Sequence, residues 1–209
     1  MGLGLAIAKA FVTQGASVLI CARSARALQD ARKELEAIGG AHGVIVHALV
    51  CDVSSESEVS RLFDQALDVL GGLDIVVNNA GVYGAKGAAE HNDCSEWRRT
   101  IEINLFGTLY TGQKAIAYFK QQRAGKIINL SGGGATAPLP CISAYAASKA
   151  AVVRLTETLS EEVKQFGIDI NAIAPGALNT RLMDEVLAAG PENVGDSFYQ
   201  STIKQQESG

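Results

Sequence analysis

At 209 residues, with 47% hydrophobic and 19% charged side chains, the chain has the size and composition of one soluble α/β domain with a substantial core. A net charge of -4 without a Lys/Arg cluster argues against nucleic acid as a partner, and the longest apolar runs, 16–22 and 174–178, are far too short to cross a bilayer. The four cysteines, Cys21, Cys51, Cys94 and Cys141, lack metal-like spacing and read as reduced residues of a cytoplasmic protein.

No signal peptide is expected, because Met1 leads directly into Gly2-Leu3-Gly4 and a helical pattern over 3–14 that Gly15 stops. Residues 16–22 form a continuous apolar run of strand length, the kind that suits a parallel strand covered on both faces. A helix follows over 25–38, closed by Gly39-Gly40, then a strand over 43–50. Residues 54–70 are helical, with Ser54 or Ser55 as the cap and Glu56 and Glu58 in the first turn, and 73–77 is a third strand. A long helix over 95–119, a strand over 126–130, a helix over 144–166 and a strand over 168–174 complete the pattern. Strict alternation of this kind predicts a Rossmann-like, doubly wound parallel sheet with helices on both faces.

Within the helix over 144–166, Tyr145 and Lys149 are four residues apart and project from one face. A phenol titrates near pH ~10, too high for proton exchange at neutral pH, but an adjacent cation favours the phenolate. The pair is therefore a candidate acid/base. An accidental Tyr/Lys spacing on an exposed helix is the competing reading, and the other motifs decide between the two.

Those motifs are the Gly2-Leu3-Gly4 remnant of a glycine-rich turn, Asp52-Val53 after a strand, Asn78-Asn79-Ala80-Gly81, Asn104 inside a long helix, Tyr145 with Lys149, and Pro175-Gly176-x3-Thr180. In this order and at these intervals the chain resembles the short-chain dehydrogenase/reductase (SDR) family along essentially its whole length. The resemblance implies an oxidoreductase that interconverts a carbonyl and an alcohol by hydride transfer with a nicotinamide cofactor. It also implies that the strand before the glycine motif, and the last helix and strand, are missing from this chain. A sheet without its central member and one edge is expected to fold and bind cofactor weakly.

Gly2, Leu3 and Gly4 would bring backbone close to the cofactor phosphates at a helix N-terminus, although close helix packing is an equal use for Gly4. Where an NAD enzyme of this type keeps an acid for the ribose 2'-hydroxyl, the chain has Ala22-Arg23-Ser24. A guanidinium suits a 2'-phosphate, so NADP(H) is expected over NAD(H), against the alternative of a solvated arginine in a turn. By resemblance, Asp52 and Val53 meet the adenine, and Asn79, Ala80 and Gly81 line the cofactor site. Lys149 holds the nicotinamide ribose and lowers the Tyr145 pKa, Asn104 anchors a proton relay, and Pro175, Gly176 and Thr180 begin a segment that closes over the nicotinamide.

One position departs from the family. Relatives carry a substrate-binding serine thirteen residues before the tyrosine, and here that position is Gly132, with Ser131 one residue early. Ser131 is expected to face away from the site unless the following glycines turn it inward or present a backbone N–H in its place, and it stands as the candidate donor. A cofactor-binding protein without useful turnover, acting through its oligomer surface, is the rival function that Gly132 favours.

The first turns of the helix over 144–166 are apolar or small nearly all round, so a second subunit is expected to cover the side away from the sheet, in a homodimer or homotetramer. Burial under the C-terminal segment is the alternative. Residues 181–209 read as a substrate-facing segment of a single domain spanning 1–209. No nucleic acid and no membrane is expected among the partners, and the substrate is a small carbonyl or alcohol.

Overall fold

The computed structural model describes residues 2–40, 43–176, 178 and 180–208. Residues 177 and 179 of the Pro175-Gly176-x3-Thr180 motif, and the last residue of the 181–209 segment, lie outside the described residues. The chain divides into two compact units, Met1–Asp74 and Ile75–Gly209.

In the first unit, α1 (Gly2–Thr13), β1 (Val18–Ala22), α2 (Ala25–Gly39), β2 (Val46–Val50) and α3 (Glu56–Leu70) alternate as the apolar pattern predicts. β1 and β2 pair in parallel from Val18 opposite Val46 to Ala22 opposite Val50. Ala8 and Val12 of α1, Leu35 of α2 and Val46 of β2 are buried together, with Leu5, Val18, Ile20, Ile38 and Val44 packed against them. Gly39 ends α2 where a Cβ would stand 2.9 Å from Val44 Cγ2 and 3.2 Å from Val12 Cγ1, so its lack of a side chain lets helix and strand close up.

The α3 cap is Ser55, whose Oγ accepts from the Glu58 backbone N–H. The Glu58 carboxylate reaches past the usual capping-box target and accepts from the Asp52 N–H at 2.8 Å. All five residues of β1 are only half-buried. That differs from the covered strand its apolar run predicts, because β1 has a strand on one edge only among the described residues.

In the second unit, β3 (Ile75–Asn78), β4 (Gly125–Leu130) and β5 (Ile168–Ile173) form a parallel sheet in that order. Around them lie α4 (Cys94–Ile101), a π-helical segment Glu102–Phe106, α5 (Gly107–Gln122) and α6 (Ser143–Val163). The chain continues through α7 (Arg181–Ala189), the single turn α8 (Pro191–Val194) and α9 (Asp196–Ser208).

A polar ladder ties helices to strands inside this unit. Thr111 Oγ1 donates to Asn78 Oδ1 at 2.7 Å, Asn78 Nδ2 to Asn129 Oδ1 at 2.8 Å, and Asn129 Nδ2 to Thr156 Oγ1 at 2.8 Å. Asn129 is 2% exposed, so its amide makes these bonds in a medium where leaving them unmade costs about 1–3 kcal/mol each. β5 departs from the fully covered pattern: Ile168 and Ile170 are buried while Asp169, Asn171 and Ile173 are exposed, the alternation of a strand with one wet face. All four cysteines are free thiols, and no described helix is long and apolar enough to cross a membrane.

Candidate active site

The long helix expected over 95–119 is broken where asparagine, a poor helix former, sits. Between α4 and α5 the backbone widens into the π-helical segment Glu102–Phe106, which contains Asn104. Asn104 is fully buried, and its side chain explains why it is there. Oδ1 accepts the Val82 N–H at 2.9 Å, and Nδ2 donates to the Val82 carbonyl and to Ser148 Oγ, each at 2.9 Å. One amide thus holds both backbone groups of Val82 and reaches α6, joining three segments of the unit.

α6 carries Tyr145 and Lys149, which are 8% and 4% exposed. Its first turn is fixed on several sides. Trp97 Nε1 donates to Ser143 Oγ at 3.2 Å, Ser148 Oγ to the Tyr145 carbonyl at 2.7 Å, and Gly134 approaches so closely that a Cβ there would lie 2.6 Å from Ala146 Cα. Lys149 Nζ donates to the Leu130 carbonyl oxygen at 2.6 Å and stands 5.7 Å from the centroid of the Tyr145 ring.

The electrostatics of this pair differ from the expectation. Burial pushes the Tyr145 phenol up to about 12, with Tyr83 adding to the effect, and burial lowers the Lys149 amine to about 8. Desolvation opposes charge on both groups, and the ammonium is bonded to the end of β4, so in this state the phenol is a weak acid.

Gly132 and Ser131 follow β4. A Cβ on Gly132 would stand 2.0 Å from the Tyr145 hydroxyl, so the position thirteen residues before the tyrosine does face that hydroxyl, but carries no side-chain donor to it. Ser131 is 7% exposed, and its Oγ is sealed from solvent without a hydrogen-bond partner among the described residues.

The remaining expected site residues fall in both units. In the first, Gly2 begins α1 with a φ of 66°, a conformation that favours glycine, and Leu3 and Gly4 lie in the first turn of the helix. Arg23 is exposed after β1 and has no ion pair among the described residues. Ser24 caps α2, its Oγ accepting from the Ala27 N–H. Asp52 forms a local turn, with Oδ1 accepting from the Ser54 N–H at 3.0 Å and from Ser54 Oγ at 2.6 Å, and Val53 is half-buried beside it.

In the second unit, Asn79 and Ala80 are exposed beyond β3, and Gly81 leaves room beside the site: a Cβ there would be 3.4 Å from Lys149 Nζ and 3.5 Å from Asn104 Oδ1. Pro175 and Gly176 are exposed after β5, and Thr180 is half-buried at the start of α7. The structure therefore brings Tyr145, Lys149, Asn104, Gly81 and Gly132 into one neighbourhood.

Three contributors are absent from the sequence-level reading: Ser148, which links Asn104 to α6, the Leu130 carbonyl, and Tyr83. The Tyr83 ring lies against Tyr145 with centroids 4.7 Å apart and planes at 63°, and against Phe198 at 6.1 Å. Ile142, Val186 and Val194 are buried around Tyr145 in the same apolar group. The available signal for Tyr83 was its place just past the carboxyl end of a parallel strand, where ligands of open α/β sheets bind.

The fold has counterparts among proteins of known structure. The chain is 42% identical over 188 residues to 3beta-hydroxysteroid dehydrogenase 1 of Eggerthella lenta, an alignment covering 90% of this chain and 70% of that protein. The crystal structure of an NAD+-bound xylitol dehydrogenase matches 92% of this chain and 72% of its own, with a TM-score of 0.84 and 27% identity. The crystal structure of a single-substitution variant of actinorhodin polyketide ketoreductase with NADPH matches 89% of this chain and 70% of its own, with a TM-score of 0.83 and 29% identity. A family model described as short chain dehydrogenase matches residues 1–190, and the chain belongs to that family of oxidoreductases.

Proposed function

We propose that this oxidoreductase is NADP(H)-dependent and interconverts a small carbonyl and its alcohol, with Tyr145 moving the proton at the carbonyl oxygen. The observation that carries the reading is the Tyr145, Lys149 and Asn104 set on α6 and the π-helical segment. The whole of 1–209 acts as a single dinucleotide-binding domain, with 181–209 as its substrate-facing part.

The residues present fit a nicotinamide cofactor. The Lys149 ammonium uses one N–H on Leu130 and keeps two for ribose hydroxyls, and Gly81 leaves the space beside it open. Pro175, Gly176 and Thr180, with Asn79 and Ala80, would hold the nicotinamide end. In the other unit, the start of α1 with Gly2, Leu3 and Gly4 would take the phosphates, and Asp52 and Val53 the adenine. Arg23, exposed and without an ion pair among the described residues, suits a 2'-phosphate and favours NADP(H), with Ser24 beside it. When bound, the cofactor supplies or receives the hydride.

At neutral pH the Tyr145 phenol carries its proton, because burial holds it near 12. It therefore acts as the acid when a carbonyl is reduced, and a cation brought near the phenol would make it a usable base in the reverse direction. Lys149 would supply part of that positive charge. Asn104 fixes Val82 and Ser148 around it as the anchor of the relay, and Ser131 is a donor candidate only if its sealed hydroxyl turns outward.

Ala147 and Ala150 are exposed on α6, which suits a homodimer or homotetramer built on that helix. Four free thiols suit the cytoplasm.

NADPH oxidation with a panel of ketones, comparing the chain with Tyr145→Phe, tests the reading. Loss of turnover by about 10²–10⁴ is expected from removing a positioned general acid. A phenylalanine variant as active as the parent would remove it. The glycine at 132 favours a second reading, a cofactor-binding protein without useful turnover, and an NADPH-induced rise in Tm without oxidation of any ketone would select that one.

A further inference from the structure

Among the side chains gathered around Tyr145, its own hydroxyl is the donor aimed at a carbonyl oxygen under the function proposed above. A carbonyl accepting hydride develops negative charge on oxygen, and a second positioned donor is worth about 10²–10³ in rate. Gly132 has no side-chain donor, and the Tyr145 hydroxyl stands 2.0 Å from where its Cβ would begin. Ser131 Oγ is sealed from solvent, so a substrate oxygen does not meet it without rearrangement.

Tyr83 is a further polar side chain of the apolar group around Tyr145, to which Tyr199 also belongs. The Tyr83 ring packs at an angle against that of Tyr145, with centroids 4.7 Å apart. Neither phenol hydroxyl has a hydrogen-bond partner among the described residues, and the two rings pack against one another in one apolar group. Burial raises the Tyr83 phenol, and the Glu185 carboxylate raises it further, which keeps its proton on oxygen at neutral pH.

The backbone holding Tyr83 is fixed. The preceding residue, Val82, has its N–H and its carbonyl both bonded to Asn104 at 2.9 Å. On the far side, Lys86 Nζ donates to the Gly84 carbonyl at 3.1 Å and the Gly87 N–H to the Cys141 carbonyl at 2.8 Å. A donor on such a support needs little reorganisation when charge appears.

Resting on the function proposed above, we infer that Tyr83 is a further catalytic residue whose hydroxyl donates the second hydrogen bond to the substrate oxygen, where position 132 supplies none. The carbonyls it serves carry apolar substituents, because Ile142, Val186, Val194 and Phe198 surround the two phenols.

Tyr83→Phe keeps the ring contacts with Tyr145 and Phe198 and removes only the hydroxyl. With NADPH and alicyclic or aryl ketones, kcat is expected to fall by about 10²–10³ while KM changes little and Tm stays at the parental value. The phenol of Tyr145 also loses its repulsive neighbour. Its ionisation, followed by ultraviolet difference absorbance with Tyr145→Phe as the blank, is expected at lower pH in Tyr83→Phe than in the parent.

Parental kcat in Tyr83→Phe with Tyr145→Phe inactive would overturn the inference and leave the function standing. Parental activity in both variants, or no ketone turned over by the parent, would remove the function and the inference with it. A fall in Tm as large as that of Tyr83→Ala would assign the loss to packing, and an unchanged Tyr145 titration would separate the two phenols; either result overturns the inference.

Discussion

Lys149 and Leu130 are joined by a hydrogen bond of 2.6 Å from the buried amine to the carbonyl at the end of β4. The bond ties α6 to the sheet through a buried amine. Burial with one carbonyl partner is a poor setting for an ammonium, and the amine is lowered to about 8.

Stability should depend on alkaline pH in a way that isolates this lysine. Its value is about 8 folded against an ordinary 10.5, so between these the unfolded chain binds more protons, and the contribution of Lys149 to stability rises with pH across that window. It is lost as pH falls toward 8. The difference is on the order of 3 kcal/mol. Tyr145 works in the opposite sense: raised from 10 to about 12, it contributes stability that is lost as pH climbs through that range. Urea midpoints measured from neutral to alkaline pH for the chain and for Lys149→Met should diverge between 8 and 10.5, and parallel curves would contradict the buried amine.

Gly132→Ala should harm the protein. The new Cβ would begin 2.0 Å from the Tyr145 hydroxyl, and the ring cannot retreat freely because Tyr83, Ile142 and Val194 surround it. Overpacking of this kind costs about 1–3 kcal/mol, and displacement of the phenol should lower turnover as well. The same argument makes Gly132→Ser a loss and not a gain. Thermal melts and ketone reduction by the two variants check it; a serine variant faster than the parent would show that the phenol yields easily.

Asn104→Ala removes three hydrogen bonds at a fully buried position, and leaves both backbone groups of Val82 without partners. With about 1–3 kcal/mol for each group left unsatisfied, a loss of several kcal/mol is expected in denaturant titration. Hydrogen exchange at Val82 should accelerate with it, and a protected Val82 amide in the variant would count against the clamp.

Arg23→Ala should weaken NADPH binding and leave NADH binding nearly unchanged. A charge-assisted bond to a phosphate contributes about 1.5–3 kcal/mol, so a change of about ten- to a hundred-fold in Kd is expected. Calorimetric titration of both cofactors on the two proteins decides it, and equal losses for both would leave Arg23 without a role in the choice between them.

The sequence by itself determined the alternation of helices and strands, because apolar runs of strand length and helical spacing are local properties that the chain cannot hide. It also determined that Tyr145 and Lys149 share one face of α6, since four residues make about one helical turn. Asn104 stood out as an asparagine in the middle of an expected helix, but the structure, not the sequence, replaced that continuous helix with a π-helical segment there. Only the tertiary structure decided where the Lys149 amine points, that the Tyr145 phenol is a weak acid in this state, and that Gly132 faces it. Those outcomes depend on burial and on partners remote in the chain: the Leu130 carbonyl is 19 residues from Lys149, and Val82 is 22 from Asn104. Tyr83 belongs to the second group for the same reason. Its place past the carboxyl end of β3 is a signal it shares with its neighbours, and its own meaning comes from a ring 4.7 Å away that the folding of β3, the π-helical segment and α6 brings to its side.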